Sequence, residues 1–173
     1  MKRLLCLIIA AALAATLCAC QLGSRSALLE PVEFYYPRNS VSFIYGSELG
    51  ILDMELREGS GHTNDLTYLL SMYLRGPQNE RMRNPFPAGC VLESVNWEDD
   101  TLHLTLSSEF TTLESMDLTI ACAGLTKTCL AISDARLVRI KSASNQKAIS
   151  ITMDAESLLL TDYSAFEVDP VTE

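Results

Sequence analysis

The chain is 173 residues long, with 13 basic and 22 acidic side chains, a net charge of −9 and 48% of its residues apolar. An acidic surface of that kind repels nucleic acid and anionic headgroups, which removes DNA and RNA binding from consideration. The length suits one domain with a single core, of a size that buries around two thirds of its unfolded-chain surface.

Lys2 and Arg3 form a short positive start, and the uncharged run from Leu4 to Ala19 follows. A membrane-spanning helix needs about twenty residues, so this run is short for a span and right for the apolar part of a secretory signal. It ends in Leu17-Cys18-Ala19-Cys20, which resembles a bacterial lipobox. Residues 1–19 are therefore expected to be a lipoprotein signal peptide, with Cys20 as the lipidated first residue of the mature chain. An uncleaved anchor, or ordinary cleavage after a small residue, is the alternative. Two acyl chains anchor stably where one is marginal. Without residues 1–19, 11 basic side chains face 22 acidic ones and the net charge is −11. Attachment to the membrane then rests on the lipid.

Of the six cysteines, Cys6 and Cys18 leave with the signal and Cys20 is acylated, so Cys90, Cys122 and Cys129 remain. Cys122 and Cys129 are seven apart in an expected helix, a rise of about 10 Å, whereas bridged Cα atoms rarely exceed about 7 Å. With Leu118 and Leu125 they form a core-type stripe, which reads both as small buried hydrophobes. A bridge from Cys90 to one of them is the alternative. No metal-ligand spacing appears.

Residues 20–31, the lipidated Cys and a Gly/Ser-containing stretch, read as a tether that holds the domain near the bilayer. Three alternating runs follow: Val32, Phe34 and Tyr36; Val41, Phe43 and Tyr45; and Leu52, Met54 and Leu56 against Asp53, Glu55 and Arg57. The third has the pattern of a half-buried strand with its apolar side inward. Thr63 or Asn64 is placed to cap a helix carrying Leu66, Leu69, Leu70 and Tyr73, which Gly76-Pro77 stops. After a loop with Arg81, Arg83, Pro85 and Pro87 comes a hairpin. Val91, Val95 and Trp97 lie on its first strand, Glu98-Asp99-Asp100 at its turn, and Leu102, Leu104 and Leu106 on its second strand. A longer helix is expected over Leu113 to Ile132, a strand over Arg136 to Lys141, a polar turn over Ser142 to Gln146 and a strand over Lys147 to Thr152. Residues 153–173 form a C-terminal extension that becomes acidic after about Asp162 and reads as a loose tail.

Several of these residues carry a resemblance. Leu74-Arg75-Gly76-Pro77 ends the first helix, Pro87-Ala88-Gly89 leads with Val91, Leu92 and Val95 into the hairpin, and Leu102, Leu104, Leu106, Ser107 and Phe110 form its second strand and exit. With Arg136-Leu137-Val138-Arg139-Ile140 after the second helix, this order resembles the GerM domain, named from a sporulation and spore germination protein of endospore-forming bacteria. The likeness covers roughly residues 32–151, and the GerM-like domain is expected over 32–152. It implies an α+β fold, a single domain with an antiparallel or mixed sheet and two main helices, similar to ring-building motifs. It further implies an extracytoplasmic lipoprotein on the bacterial cell membrane, without catalytic residues, that acts by assembly or protein contact.

The residues themselves offer little chemistry. His62 follows Gly59-Ser60-Gly61, where backbone N–H groups could hold an anion. A plain turn is preferred, because the P-loop lysine and glycine spacing are absent. His103 alternates with Thr101 and Thr105 and is expected to be exposed. Asn96, Glu98, Asp99 and Asp100 lack the glycine of an EF-hand loop, Thr101 standing in its place. No G-x-S-x-G occurs. No cofactor, metal or catalytic residue is therefore expected. Arg75, Arg81 and Arg83 stand out in an acidic chain as a candidate contact for an acidic partner. The expected partners are the membrane, through the lipid, and an envelope protein or further copies of the chain. The competing reading is a small-molecule or cell-wall glycan binder built on Tyr35, Tyr36, Tyr45 and Trp97.

Overall fold

The computed structural model describes residues 28–39 and 50–161, with side chains through 158. The expected signal segment, Cys20, most of the tether, the Val41–Phe43–Tyr45 run and the acidic tail lie outside the described residues.

Among the described residues the chain forms six strands and two α-helices in an α+β arrangement. In chain order these are β1 (Pro31–Pro37), β2 (Leu52–Glu58), α1 (Leu66–Leu74), β3 (Leu92–Glu98), β4 (Thr101–Leu106), α2 (Ser115–Ile132), β5 (Leu137–Ala143) and β6 (Ala148–Met153), with 3-10 turns at Ser108–Thr112 and Glu156–Thr161. β1 and β2 pair antiparallel as a two-stranded ribbon, and β3-β4-β5-β6 form a mixed four-stranded sheet in which β4 and β5 run parallel.

The β3–β4 hairpin closes over the two residues Asp99-Asp100, Glu98 pairing with Thr101 and Asp99 taking a positive φ of 52°. Aspartate tolerates that region, so the acidic turn does here what Asn-Gly does elsewhere. The apolar row Leu102, Leu104 and Leu106 of β4 is buried, together with Val138 and Ile140 of β5. α1 supplies Leu69, Leu70, Tyr73 and Leu74 to the same core. Its N-cap is Asp65, whose carboxylate accepts from the Tyr68 N–H at 3.0 Å, and not Thr63 or Asn64. A cap must sit where its side chain reaches the N–H three residues on, and Asp65 occupies that position. Gly76, at φ 95°, ends the helix region, and a Cβ there would stand 2.9 Å from Asn84.

α2 begins at Ser115 rather than Leu113, because Ser108–Thr112 first forms a 3-10 turn and Leu113 and Glu114 are extended. It is long and apolar enough to cross a membrane, yet its central residues are consumed by the core. Gly124 lets β1 approach closely: a Cβ there would meet the Tyr73 hydroxyl at 2.9 Å and the Tyr35 carbonyl at 3.0 Å. The Thr128 hydroxyl accepts from the Tyr35 N–H at 3.0 Å, and the Tyr73 hydroxyl donates to the Tyr35 carbonyl at 2.8 Å. These bonds satisfy the outer edge of β1 with side chains where, among the described residues, no strand continues the ribbon.

β5 runs two residues further than its apolar pattern suggests. Ser142 is buried and donates to the Ser107 carbonyl at 2.8 Å, which holds the strand in register through Ala143. The C-terminal extension starts on the domain, Leu158 packing into a satellite cluster with Leu52, Ile120 and Ala123.

Candidate functional site

From Met54 to Arg57, β2 reverses the expected orientation of its side chains, while Leu52 at its start is buried as expected. Glu55 and Arg57 are 9% and 6% exposed, whereas Met54 and Leu56 are 43% and 48% exposed. The reversal follows from what the inner face offers. The Arg57 guanidinium contacts the Glu55 carboxylate at 3.3 Å, donates to the Gly76 carbonyl and to the Met72 carbonyl at 3.4 Å, and lies over the rings of Phe34 and Tyr36 at 5.4 and 5.7 Å. The Gln78 N–H donates to both Glu55 oxygens, at 2.9 and 3.2 Å. A buried ion pair persists only when its remaining donors and acceptors are satisfied, and the turn at Gly76-Pro77 supplies those partners. This network is the polar centre that sequence reasoning missed. Its signal was present as an acidic and a basic residue two apart on one face of a strand.

The end of α1, just before this turn, borders an open cleft of about 430 Å³, lined by Ser71, Leu74, Arg75 and Asn84 from one side and by the Pro87–Leu92 segment from the other. Gly89, at φ 84°, turns the chain there. Cys90 faces the cleft but is buried, and burial pushes its thiol up to about 11. Cys122 is likewise pushed up to about 12 by burial, and Cys129 further in the same direction. All three cysteines are free and buried. They are thiols at ordinary pH, and no bridge from Cys90 forms.

The three arginines do not form one patch. Arg75 is exposed at the cleft and Arg81 is exposed on the following loop, while Arg83 pairs with Asp117 of α2 at 3.4 Å. Of the hairpin carboxylates, Glu98 contacts His103 at 3.1 Å and Asp100 contacts Arg136 at 3.4 Å. His103 is thus not exposed as expected: its side chain is 16% accessible, shielded between neighbouring strands and bonded to Glu98. His62 stacks on Tyr68 at 4.2 Å. The aromatic residues that suggested a glycan groove do not converge. Tyr36 is fully buried with its hydroxyl donating to the Tyr73 carbonyl at 2.7 Å, Tyr35 lies under Lys127 on β1, and Trp97 sits on β3. Tyr45 is outside the described residues. No group of three or more His, Cys, Asp or Glu side chains is placed to hold a metal ion among the described residues.

A family model described as Germane, sporulation and spore germination, matches residues 34–147. The chain belongs to the Germane family. Two solved structures are similar to it. One is the tandem GerMN domains of the sporulation protein GerM from Bacillus subtilis, at 17% identity and a TM-score of 0.48, covering 66% of this chain and 39% of that one. The other is a putative lipoprotein from Clostridium perfringens, at 17% identity and a TM-score of 0.46, covering 78% of this chain and 95% of that one. No curated protein matches the chain. In this Germane domain the Leu74-Arg75-Gly76-Pro77 segment serves a physical purpose, since its glycine carbonyl and the N–H that follows the proline complete the buried ion pair.

Proposed function

We propose that the chain is an extracytoplasmic lipoprotein, held on the bacterial cell membrane through Cys20, whose Germane domain acts by protein contact and performs no chemistry. The process it serves is sporulation, germination or another operation of the cell envelope. The observation that carries this reading is strand β2, which buries Glu55 and Arg57 and presents Met54 and Leu56 to solvent; the loop carrying Arg81 is exposed as well. An exposed apolar pair rimmed by charge suits docking against another protein.

The test is co-purification from membranes. Met54→Asp with Leu56→Asp, or Arg81→Glu, is expected to lower recovery of the cross-linked partner while leaving the thermal midpoint within about 2 °C, as exposed substitutions do. For Arg81→Glu the loss should shrink as salt rises, because the exposed attraction and the repulsion that replaces it are both screened. Unchanged recovery in both variants, or a cross-linking survey that finds only monomer, would defeat the reading.

A further inference from the structure

The four-stranded sheet has two edges, β3 and β6. At its β4 end the Asp100 carbonyl accepts from the N–H groups of Arg136 and Leu137, at 2.9 and 3.3 Å. Asp100, and with it Leu102 and Leu104, therefore directs its backbone groups toward β5. Thr101 and His103 direct theirs toward β3, where their partners are Glu98 and Asn96. By the same alternation Val95 and Trp97 turn their N–H and C=O groups away from the sheet. None of those four groups bonds another described residue outside the strand ladders. An edge of this kind is a template for an added strand.

The edge begins at the cleft, where Leu92 is part of the lining and Arg75 stands exposed outside every ion pair among the described residues. An occupant thus needs an extended segment in which apolar side chains alternate with carboxylates. The chain contains one: Phe166-Glu167-Val168-Asp169, ended by Pro170, which cannot donate to a ladder. The same copy cannot deliver it. Residues 156–161 lie against α2 and β6, on the far side of the sheet from β3. A strand added outside β3 lies four inter-strand spacings from β6, about 19 Å in a straight line. From residue 161 to residue 166 the chain reaches at most about 18 Å when fully extended, which leaves nothing for the path over the sheet face.

We infer that residues 166–169 of one copy add as a strand to β3 of a neighbouring copy, with a carboxylate set against Arg75 at the mouth of the cleft. The inference rests on the reading that the domain acts by protein contact. Tethering copies to one membrane raises their effective concentration and lets a short strand suffice.

The experiment co-expresses two full-length variants on the same membrane, Asn96→Cys in one copy and Val168→Cys in the other, and oxidises them in place. A disulfide-linked heterodimer is expected. A matched pair using Thr152→Cys on β6 should give none. Adding Arg75→Glu to the Asn96→Cys copy should lower the dimer yield about two- to fivefold, the range of an exposed ion pair, with an unchanged thermal midpoint. Monomer only, equal yield from β6, or an intramolecular bridge in an Asn96→Cys/Val168→Cys double variant would overturn the inference. Recovery of a cross-linked partner that survives deletion of residues 162–173 would defeat it while leaving the proposed function standing.

Discussion

Arg57 shows how one side chain can decide the face of a strand. Its guanidinium holds the Glu55 carboxylate and two main-chain carbonyls and covers two aromatic rings, so its removal leaves Glu55 buried without a counter-charge. Arg57→Ala should cost about 3 to 5 kcal/mol, read as a fall in the urea midpoint. Exchanging both residues for apolar ones of similar volume should cost much less. The thiols give a second measurement at this scale. Burial raises Cys122 from 9.0 to about 12, so the folded state holds its proton where the unfolded state loses it. The thiol's contribution is complete below pH 9 and is lost as pH rises from 9 toward 12. A urea midpoint that falls across this window, and falls less in Cys122→Ala, is the expected outcome. Native thiol labelling at Cys122 and Cys129 should be slow, and rapid in denaturant. Their burial was legible in the sequence because they extend an apolar stripe. The exposure of Met54 and Leu56 was not, since alternation fixes two faces but not which one meets the core when an ion pair can be fully bonded inside.

Elements were legible where their boundaries are chemical. The hairpin β3–β4 was readable from its leucine row and acidic turn, and α1 from its leucines and from Gly76-Pro77. The cap at Asp65 was ambiguous among three adjacent polar residues, because only tertiary placement selects one. Asp65→Ala should cost about 1 kcal/mol, whereas substitution of Asn64 should be neutral. α2 was readable as a helix but not as one whose middle, from Ile120 to Cys129, is buried nearly all round. What permits that burial is a contact invisible in sequence, the approach of the Tyr35 backbone to Gly124. Gly124→Ala would improve helix propensity by about 1 kcal/mol. It would also place a methyl group against the Tyr73 hydroxyl and the Tyr35 carbonyl, at a cost of about 1 to 3 kcal/mol. A net loss of stability is expected, and a urea midpoint above that of the parent would show that the contact yields freely.

At the scale of the whole molecule, order along the chain carried the reading: two helices, a hairpin between them and a closing pair of strands in GerM-like sequence. The partners of those elements in space were not carried by it, because parallel pairing and edge exposure depend on contacts far apart in the chain. Anchoring also belongs to this scale. Cys20→Ser is expected to release the protein or to leave an unprocessed precursor, and mass spectrometry of the membrane-bound form should find lipid on Cys20. The parallel neighbours β4 and β5 have a further consequence, for the time course of folding. Each belongs to an antiparallel hairpin that forms within about 1–10 μs in isolation. Joining the two requires Leu102 to meet Val138 across the whole of α2, so the loop-closure entropy is lost before that contact returns any stability. The late, rate-limiting event should therefore be the docking of two preformed hairpins around α2. In a mutational analysis of rates, destabilising substitutions at either hairpin turn, formed before docking, should slow refolding with little effect on unfolding, and Leu104→Ala and Ile140→Ala at the docking contact should slow refolding too.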